Sequence, residues 1–170
     1  IGKEIDDAYI AELKKQNIHP EAITKVAKDI KIVYTPLHGT GNIPVRRVLA
    51  ELGFENVYVV EKQEKPDGNF PTVAYPNPED SKAWTLALEL AKEKDADIVL
   101  ATDPDADRLG VYAKDEKTGE YVSFTGNMSG SLIAEYILRE KKEKGELPEN
   151  AAIVETIVTT DMLKAVAEKY

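Results

Sequence analysis

The sequence predicts an α/β fold: a mixed, mainly parallel sheet flanked by helices, with an antiparallel hairpin after an acidic loop. Short β-branched runs alternate with stretches of helical periodicity, the pattern of layered α/β proteins. The first two runs are separated by a loop and a helix-length segment, which implies a parallel pair and a right-handed crossover. A later pair is joined only by a short turn containing Gly119, the mark of a hairpin.

The elements follow in order. Ile5, Ala8, Tyr9, Ala11 and Leu13 recur near helical spacing, so residues 4–28 form two helical stretches, with Pro20 early in the second. Ile30-Lys-Ile-Val-Tyr34 is the first strand, followed by the loop Thr35–Asn42 and a helix over Pro44–Leu52 that Gly53 ends. Val57–Val60 is the second strand. The stretch Glu61–Pro78, with Pro66, Pro71, Pro76 and Pro78, is expected to be irregular throughout. An amphipathic helix over about Glu79–Lys94 presents Trp84, Leu88 and Ala91 on one face. A strand over Asp97–Ala101 leads into the acidic loop Thr102–Arg108, and Leu109–Ala113 with Glu120–Ser123 forms the hairpin. A helix over Gly130–Lys142, a strand over Ala152–Val158 and a helical segment from Asp161 to Tyr170 complete the chain. Residues 1–125, including the helices of 1–28, are assigned to one domain and 126–170 to the opening of a second.

Composition narrows the function classes. The 170 residues, 42% hydrophobic and 31% charged, match a soluble globular protein of one domain plus part of another. No apolar run is long enough to span a bilayer, and no signal-peptide pattern opens the chain, so no membrane partner is expected. The absence of cysteine excludes disulfides and thiolate-bound metal and is compatible with the cytoplasm, the expected location. A net charge of −9, with basic residues scattered among acids, argues against nucleic acid as a partner. The start at Ile1 and the helical pattern still running at Tyr170 predict a piece of a longer polypeptide.

Three loops carry the chemistry. Asp103-Pro-Asp-Ala-Asp-Arg108 follows a strand, where open α/β sheets bind ligands. Asp103, Asp105 and Asp107 would repel one another unless a hard divalent cation joined them, and Arg108 beside them can hold a phosphate bidentately. A calcium loop also begins Asp-x-Asp-x-Asp, but it requires Gly at position six and Glu at position twelve, where this chain has Arg108 and Lys114.

The second loop, Thr35-Pro-Leu-His-Gly-Thr-Gly41, has two readings: a tight strand-to-helix turn with His38 packed locally, or an anion-binding loop with His38 as candidate substrate-binding side chain. Gly39, Gly41 and Glu61 also match part of a dinucleotide fingerprint, although Pro44 replaces its third glycine. The third loop, Pro66–Pro71 with Pro76–Glu79, is expected to shape the edge of the domain. Trp84 and the tyrosines are expected to pack in the core or at interfaces.

Taken together in order and spacing, Thr35–Gly41, Pro66–Pro71, Pro76–Glu79 and Asp103–Arg108 resemble the second domain of the phosphoglucomutase/phosphomannomutase family. Gly126-Asn-Met-Ser-Gly130 and Thr156-Ile-Val-Thr-Thr160 resemble the opening of its third domain. The resemblance implies a four-domain enzyme that interconverts hexose 1-phosphate and 6-phosphate through a phosphoserine of its first domain. It implies Mg²⁺ as cofactor on Asp103, Asp105 and Asp107, with Arg108 steadying the phosphoryl group. The partners it implies are the hexose phosphate and the remaining domains of the same polypeptide.

The forms Thr35-Pro-Leu-His-Gly39 and Pro76-Asn-Pro-Glu79 resemble the phosphoglucomutase and phosphopentomutase side of the family more than the phosphomannomutase side. The chain departs from the family in lacking a Ser-His-Asn-Pro-type loop and the later sugar- and phosphate-binding loops. It also carries Glu155 where many relatives have a basic residue. Without the nucleophile, the 170 residues alone are expected to be inactive. The alternatives are a phosphopentomutase or phosphomannomutase fragment, or a nucleotide-binding α/β module.

Overall fold

A computed structural model describes residues 2–170. These divide into two compact units, one reaching to Ser123 and the other comprising Phe124–Tyr170. In chain order the elements are α1 (Lys3–Lys15), α2 (Pro20–Val26), β1 (Lys31–Thr35), α3 (Asn42–Glu51), β2 (Asn56–Val59), α4 (Glu61–Glu64), a 3-10 turn (Ser81–Trp84), α5 (Thr85–Lys94), β3 (Ile98–Thr102), β4 (Leu109–Lys114), β5 (Tyr121–Phe124), α6 (Gly126–Glu143) and α7 (Met162–Lys169). The sheet order is β2-β1-β3-β4-β5. β1 pairs in parallel with β2 and β3, and β4 turns back antiparallel on β3.

The interior position of β1, between β2 and β3, follows from its composition. Val33 and Leu37 join Val99, Ala101, Ala87 and Ala91 in the main core, while Ile32 and Tyr34, on alternate positions, are buried as well. A strand covered on both faces reads as a continuous apolar run, as this one does. Ala87 and Ala91 lie one turn apart on α5, and their small side chains let that helix settle closely on β1 and β3.

Trp84 closes the core near the hairpin. Its indole nitrogen donates to Pro78 O at 2.8 Å, and its ring lies 4.6 Å from that of Tyr112. A Cβ on Gly110 would come 2.4 Å from the Trp84 ring and 2.6 Å from Pro78 Cβ, so β4 needs a glycine there. The Pro76–Pro78 corner is thereby fastened to the sheet.

The structure corrects several expectations. Glu61–Pro78 is not irregular throughout, because Glu61–Glu64 forms the short α4 and buries Gln63. The helix expected from about Glu79 begins as the 3-10 turn Ser81–Trp84 before becoming α5. α3 starts at Asn42 rather than Pro44, which sits in its first turn, where proline is tolerated. α6 starts at Gly126 rather than Gly130, because Thr125 caps it by accepting a hydrogen bond from Met128 N at 3.2 Å.

Ala152–Val158 forms no strand. Val154 and Ile157 are fully exposed and no neighbouring strand pairs with the segment, so its β propensity has no ladder to act through. Glu155 lies exposed within it. In the second unit α6 and α7 pack together, with Glu135 accepting from Tyr170 Oη at 2.5 Å and pairing with Lys169 at 3.4 Å. Among the described residues no helix is long and apolar enough to cross a membrane.

α1 is held to α3 by an ion cluster as well as by packing. Arg47 Nη2 meets Asp7 Oδ1 at 2.5 Å, Arg47 Nε meets Glu51 Oε1 at 2.9 Å, and Lys14 meets Glu51 at 3.3 Å. Hydrogen bonds from Lys3 and then Arg47 hold the Asp7 carboxyl below its ordinary 3.8, and those from Arg47 and then Lys14 hold Glu51 below 4.5. A depressed carboxylate stabilises the fold above its unfolded pKa and loses that contribution as pH falls through the folded value. Arg47→Gln is therefore expected to lower the urea midpoint at pH 7 by a small margin, as suits exposed pairs. The gap to the wild type should close as the pH drops through and below those carboxylate values. A gap of constant size down to pH 2 would contradict this account.

Candidate metal centre

In a parallel pair the carboxyl ends of both strands open on the same edge. Thr35 stands opposite Ala101 in the β1–β3 register, so the loops after Thr35 and Thr102 leave the sheet side by side. The acidic loop turns back within a few residues. Asp103 O accepts from Ala106 N at 3.0 Å, Asp103 Oδ1 accepts from Arg108 N at 3.0 Å, and Ala106 takes a left-handed φ of 61° to close the turn. Asp103 is buried, while Asp105 and Asp107 are exposed.

One carboxylate oxygen from each of Asp103, Asp105 and Asp107 lies within 4.8 Å of the others. Oxygens sharing an octahedral Mg²⁺ stand about 3 Å apart when adjacent and about 4 Å when opposite, given Mg–O distances of about 2.1 Å. The cradle is thus a small side-chain rotation from that spacing, and its two exposed members are free to make it. All three donors are hard oxygens, the set suited to Mg²⁺. Sequence had placed these three residues together, and the fold makes them converge.

Arg108 lies across the cradle without being locked there. Its Nε is 3.6 Å from Asp103 and 3.9 Å from Asp107, and its Nη1 is 3.7 Å from Glu79. These are loose ion pairs on a half-exposed side chain, so the guanidinium keeps donors for an incoming anion. The contact with Glu79 brings the proline loop to the site. Sequence reasoning assigned that loop to the domain edge and missed the residue, since an exposed Glu beside Pro78 gives no sign of its neighbour.

His38 occupies a different place, buried between the second and third loops with φ 63°. Its Nδ1 faces Lys65 O at 3.3 Å and its Nε2 faces Thr72 Oγ1 at 2.8 Å. A carbonyl can only accept, so Nδ1 carries a proton there, and the Thr72 hydroxyl can supply Nε2. The network continues through buried Gln63, which donates to Thr72 at 3.0 Å, accepts from Thr35 Oγ1 at 2.7 Å and receives His38 N on its carbonyl at 2.9 Å. Both ring nitrogens are thus engaged within the chain, away from the acidic loop. Gln63 was not legible from sequence, where Glu61–Pro78 reads as one irregular stretch.

The glycines of the second loop are accounted for by packing. A Cβ on Gly39 would fall 2.4 Å from Pro104 Cα, and one on Gly41 would fall 2.7 Å from both Thr102 Oγ1 and Tyr34 Oη. The space a dinucleotide would need at these glycines is filled by the protein's own chain, which weighs against the nucleotide-binding alternative.

Residues 7–119 match the family description "Phosphoglucomutase/phosphomannomutase, alpha/beta/alpha domain II". The chain belongs to this family. Among its relatives, a probable phosphomannomutase of Haemophilus influenzae is 36% identical over the whole chain, and a phosphoglucomutase of Staphylococcus epidermidis is 39% identical over 91% of it. This chain covers 33% and 28% of those two proteins, about a third of their length. A solved structure of a putative phosphomannomutase from Thermus thermophilus aligns with 97% of the chain at a TM-score of 0.69 and 23% identity, covering 34% of that protein, and so supports the fold. A family protein from Burkholderia thailandensis aligns with 74% at a TM-score of 0.51 and 27% identity, with 27% of its own chain covered. The family match contains all three loops and the acidic triad.

Because both ring nitrogens of His38 are bonded internally, His38→Ala should leave Thr72 and the Lys65 carbonyl short of partners. The expected loss is about 1–3 kcal/mol of unfolding free energy, read from urea titration. An unchanged midpoint would mean that the network contributes nothing.

Proposed function

We propose that these residues are the metal-bearing part of a phosphohexomutase, acting on glucose phosphates, that interconverts hexose 1-phosphate and 6-phosphate. The observation that carries this reading is the convergence of the Asp103, Asp105 and Asp107 carboxylates at the carboxyl end of β3, beside Arg108. The three aspartates would hold Mg²⁺, which supplies charge neutralisation to a phosphoryl group in transfer. Arg108 would orient the phosphoryl oxygens through its forked donors, released from its loose contacts with Asp103, Asp107 and Glu79. Buried Asp103 would serve as the fixed ligand, and exposed Asp105 and Asp107 would complete the set.

The hexose phosphate and the serine nucleophile would meet this cradle from other domains of the same polypeptide, in the cytoplasm. His38 would serve the site by holding the loop Lys65–Thr72 in shape. A relative named phosphomannomutase and others named phosphoglucomutase support the mutase class, and the sugar is assigned to glucose on the form of the second and third loops. Phosphomannose and phosphopentose substrates are the alternatives.

Two measurements test the reading. Addition of Mg²⁺ or Mn²⁺ to millimolar concentration should shift or broaden the amide signals of Asp103–Arg108, and Asp105→Asn should abolish the response. Silence of those amides in the wild type would overturn the assignment. In a mutase assay with glucose 1-phosphate, the 170 residues alone should show no turnover. Asp105→Asn in the complete polypeptide should lower kcat by about a hundredfold or more, the scale expected for losing stabilisation of a transferring group.

A further inference from the structure

The residues between the aspartates are gripped from one side. Pro104 lies between two of the candidate ligands, so the orientation of its peptide group governs how Asp103 and Asp105 face each other. Its carbonyl oxygen accepts two hydrogen bonds from one residue of the second loop, from Thr40 N at 2.8 Å and from Thr40 Oγ1 at 3.1 Å. Gly39 lies directly against the same residue, since an added Cβ would stand 2.4 Å from Pro104 Cα and 2.5 Å from Pro104 O. Gly41 meets the flanking positions, its virtual Cβ being 2.7 Å from Thr102 Oγ1 and 3.2 Å from Ala106 Cβ.

The contacts therefore alternate. Thr102, Pro104 and Ala106 are the points that meet Gly39, Thr40 and Gly41, with Asp103 and Asp105 between them and Asp107 directly after. Contact at the even positions, with the Pro104 backbone and the Thr102 and Ala106 side chains, leaves the odd side chains to turn toward one another. No charged group takes part in the grip, so it operates before an ion arrives and without competing for it.

We infer that Gly39-Thr40-Gly41 is the positioning element of the metal cradle, a clamp that presents Asp103, Asp105 and Asp107 to a common point in advance. The inference rests on the metal reading above and deepens it. Outer-shell residues that orient ligands commonly contribute ten- to hundredfold in metal affinity. The glycines are needed because no side chain fits between the two loops, and Thr40 is needed for its second donor.

The test compares the wild type with Thr40→Val, Thr40→Ser, Gly39→Ala and the remote control Arg47→Gln. Mn²⁺ affinity is read from the spectrum of the free ion by electron paramagnetic resonance, and exchange of the Ala106 and Arg108 amides is followed without metal. Thr40→Val keeps the backbone donor and the side-chain shape, so it should weaken Mn²⁺ binding about fivefold, the worth of one hydrogen bond. Thr40→Ser should bind as the wild type does. Gly39→Ala should lose about ten- to hundredfold, and Arg47→Gln should lose stability but not affinity. Faster exchange at Ala106 and Arg108 in Thr40→Val is expected as well, because both amides bond to Asp103.

If the wild type binds Mn²⁺ and Thr40→Val binds it equally, with unchanged amide exchange, the clamp is overturned while the metal reading stands. If the wild type binds no Mn²⁺, the metal reading falls, and the amide exchange alone decides whether residues 39–41 order the loop. Should Gly39→Ala fail to fold, the exposed Thr40 pair still gives the answer.

Discussion

Parallel pairing of β1 with β3 is the constraint from which the site follows. Parallel strands end at the same edge, and with Thr35 opposite Ala101 the second loop and the acidic loop emerge within hydrogen-bonding distance of each other. Antiparallel pairing, or a register slip of a few residues, would carry Thr40 away from Pro104 and leave the acidic loop unsupported. The register is itself fixed by burial. Val33, Val99 and Ala101 must all face α5, and a slip by one residue would turn them to the opposite side.

Electrostatics then works locally against the global charge. A net charge of −9 repels anionic ligands at a distance, yet Arg108 stands at the rim of the triad with only loose partners. The members of the cluster are unequal. Asp103 is buried but stabilised by the backbone amide of Arg108, whereas Asp105 and Asp107 remain in water, where like charges repel weakly. One carboxylate of the triad is thus held by the chain, and two face solvent. Trp84 is pinned between Pro78 and Gly110, the second residue of β4 after the acidic loop.

The buried polar network of Thr35, Gln63, Thr72 and His38 has a different consequence. It satisfies polar groups that α4 and the second loop would otherwise bury unpaired, and so ties the proline loop to the sheet edge. His38 was a candidate substrate-binding side chain from its place in a glycine-rich loop, and in the fold its ring nitrogens meet Lys65 O and Thr72 Oγ1, neighbours distant in sequence. Residues 152–158 make the complementary point. Their β-branched composition states a preference, and without a strand alongside them the preference has no hydrogen bonds to satisfy.

Local physics made much of this protein legible from its residues alone. Short β-branched runs, a glycine-turn hairpin and the spacing of Asp103, Asp105 and Asp107 depend on neighbours a few positions away, so they survive in a linear string. The strand that failed to form, the short helix that buries Gln63, the reach of Glu79 to Arg108 and the grip of Thr40 on Pro104 depend on groups 25 to 64 positions apart or on a partner strand. Only the packed chain decides which of those groups meet, because contact energy depends on separation in space and carries no record of separation in sequence.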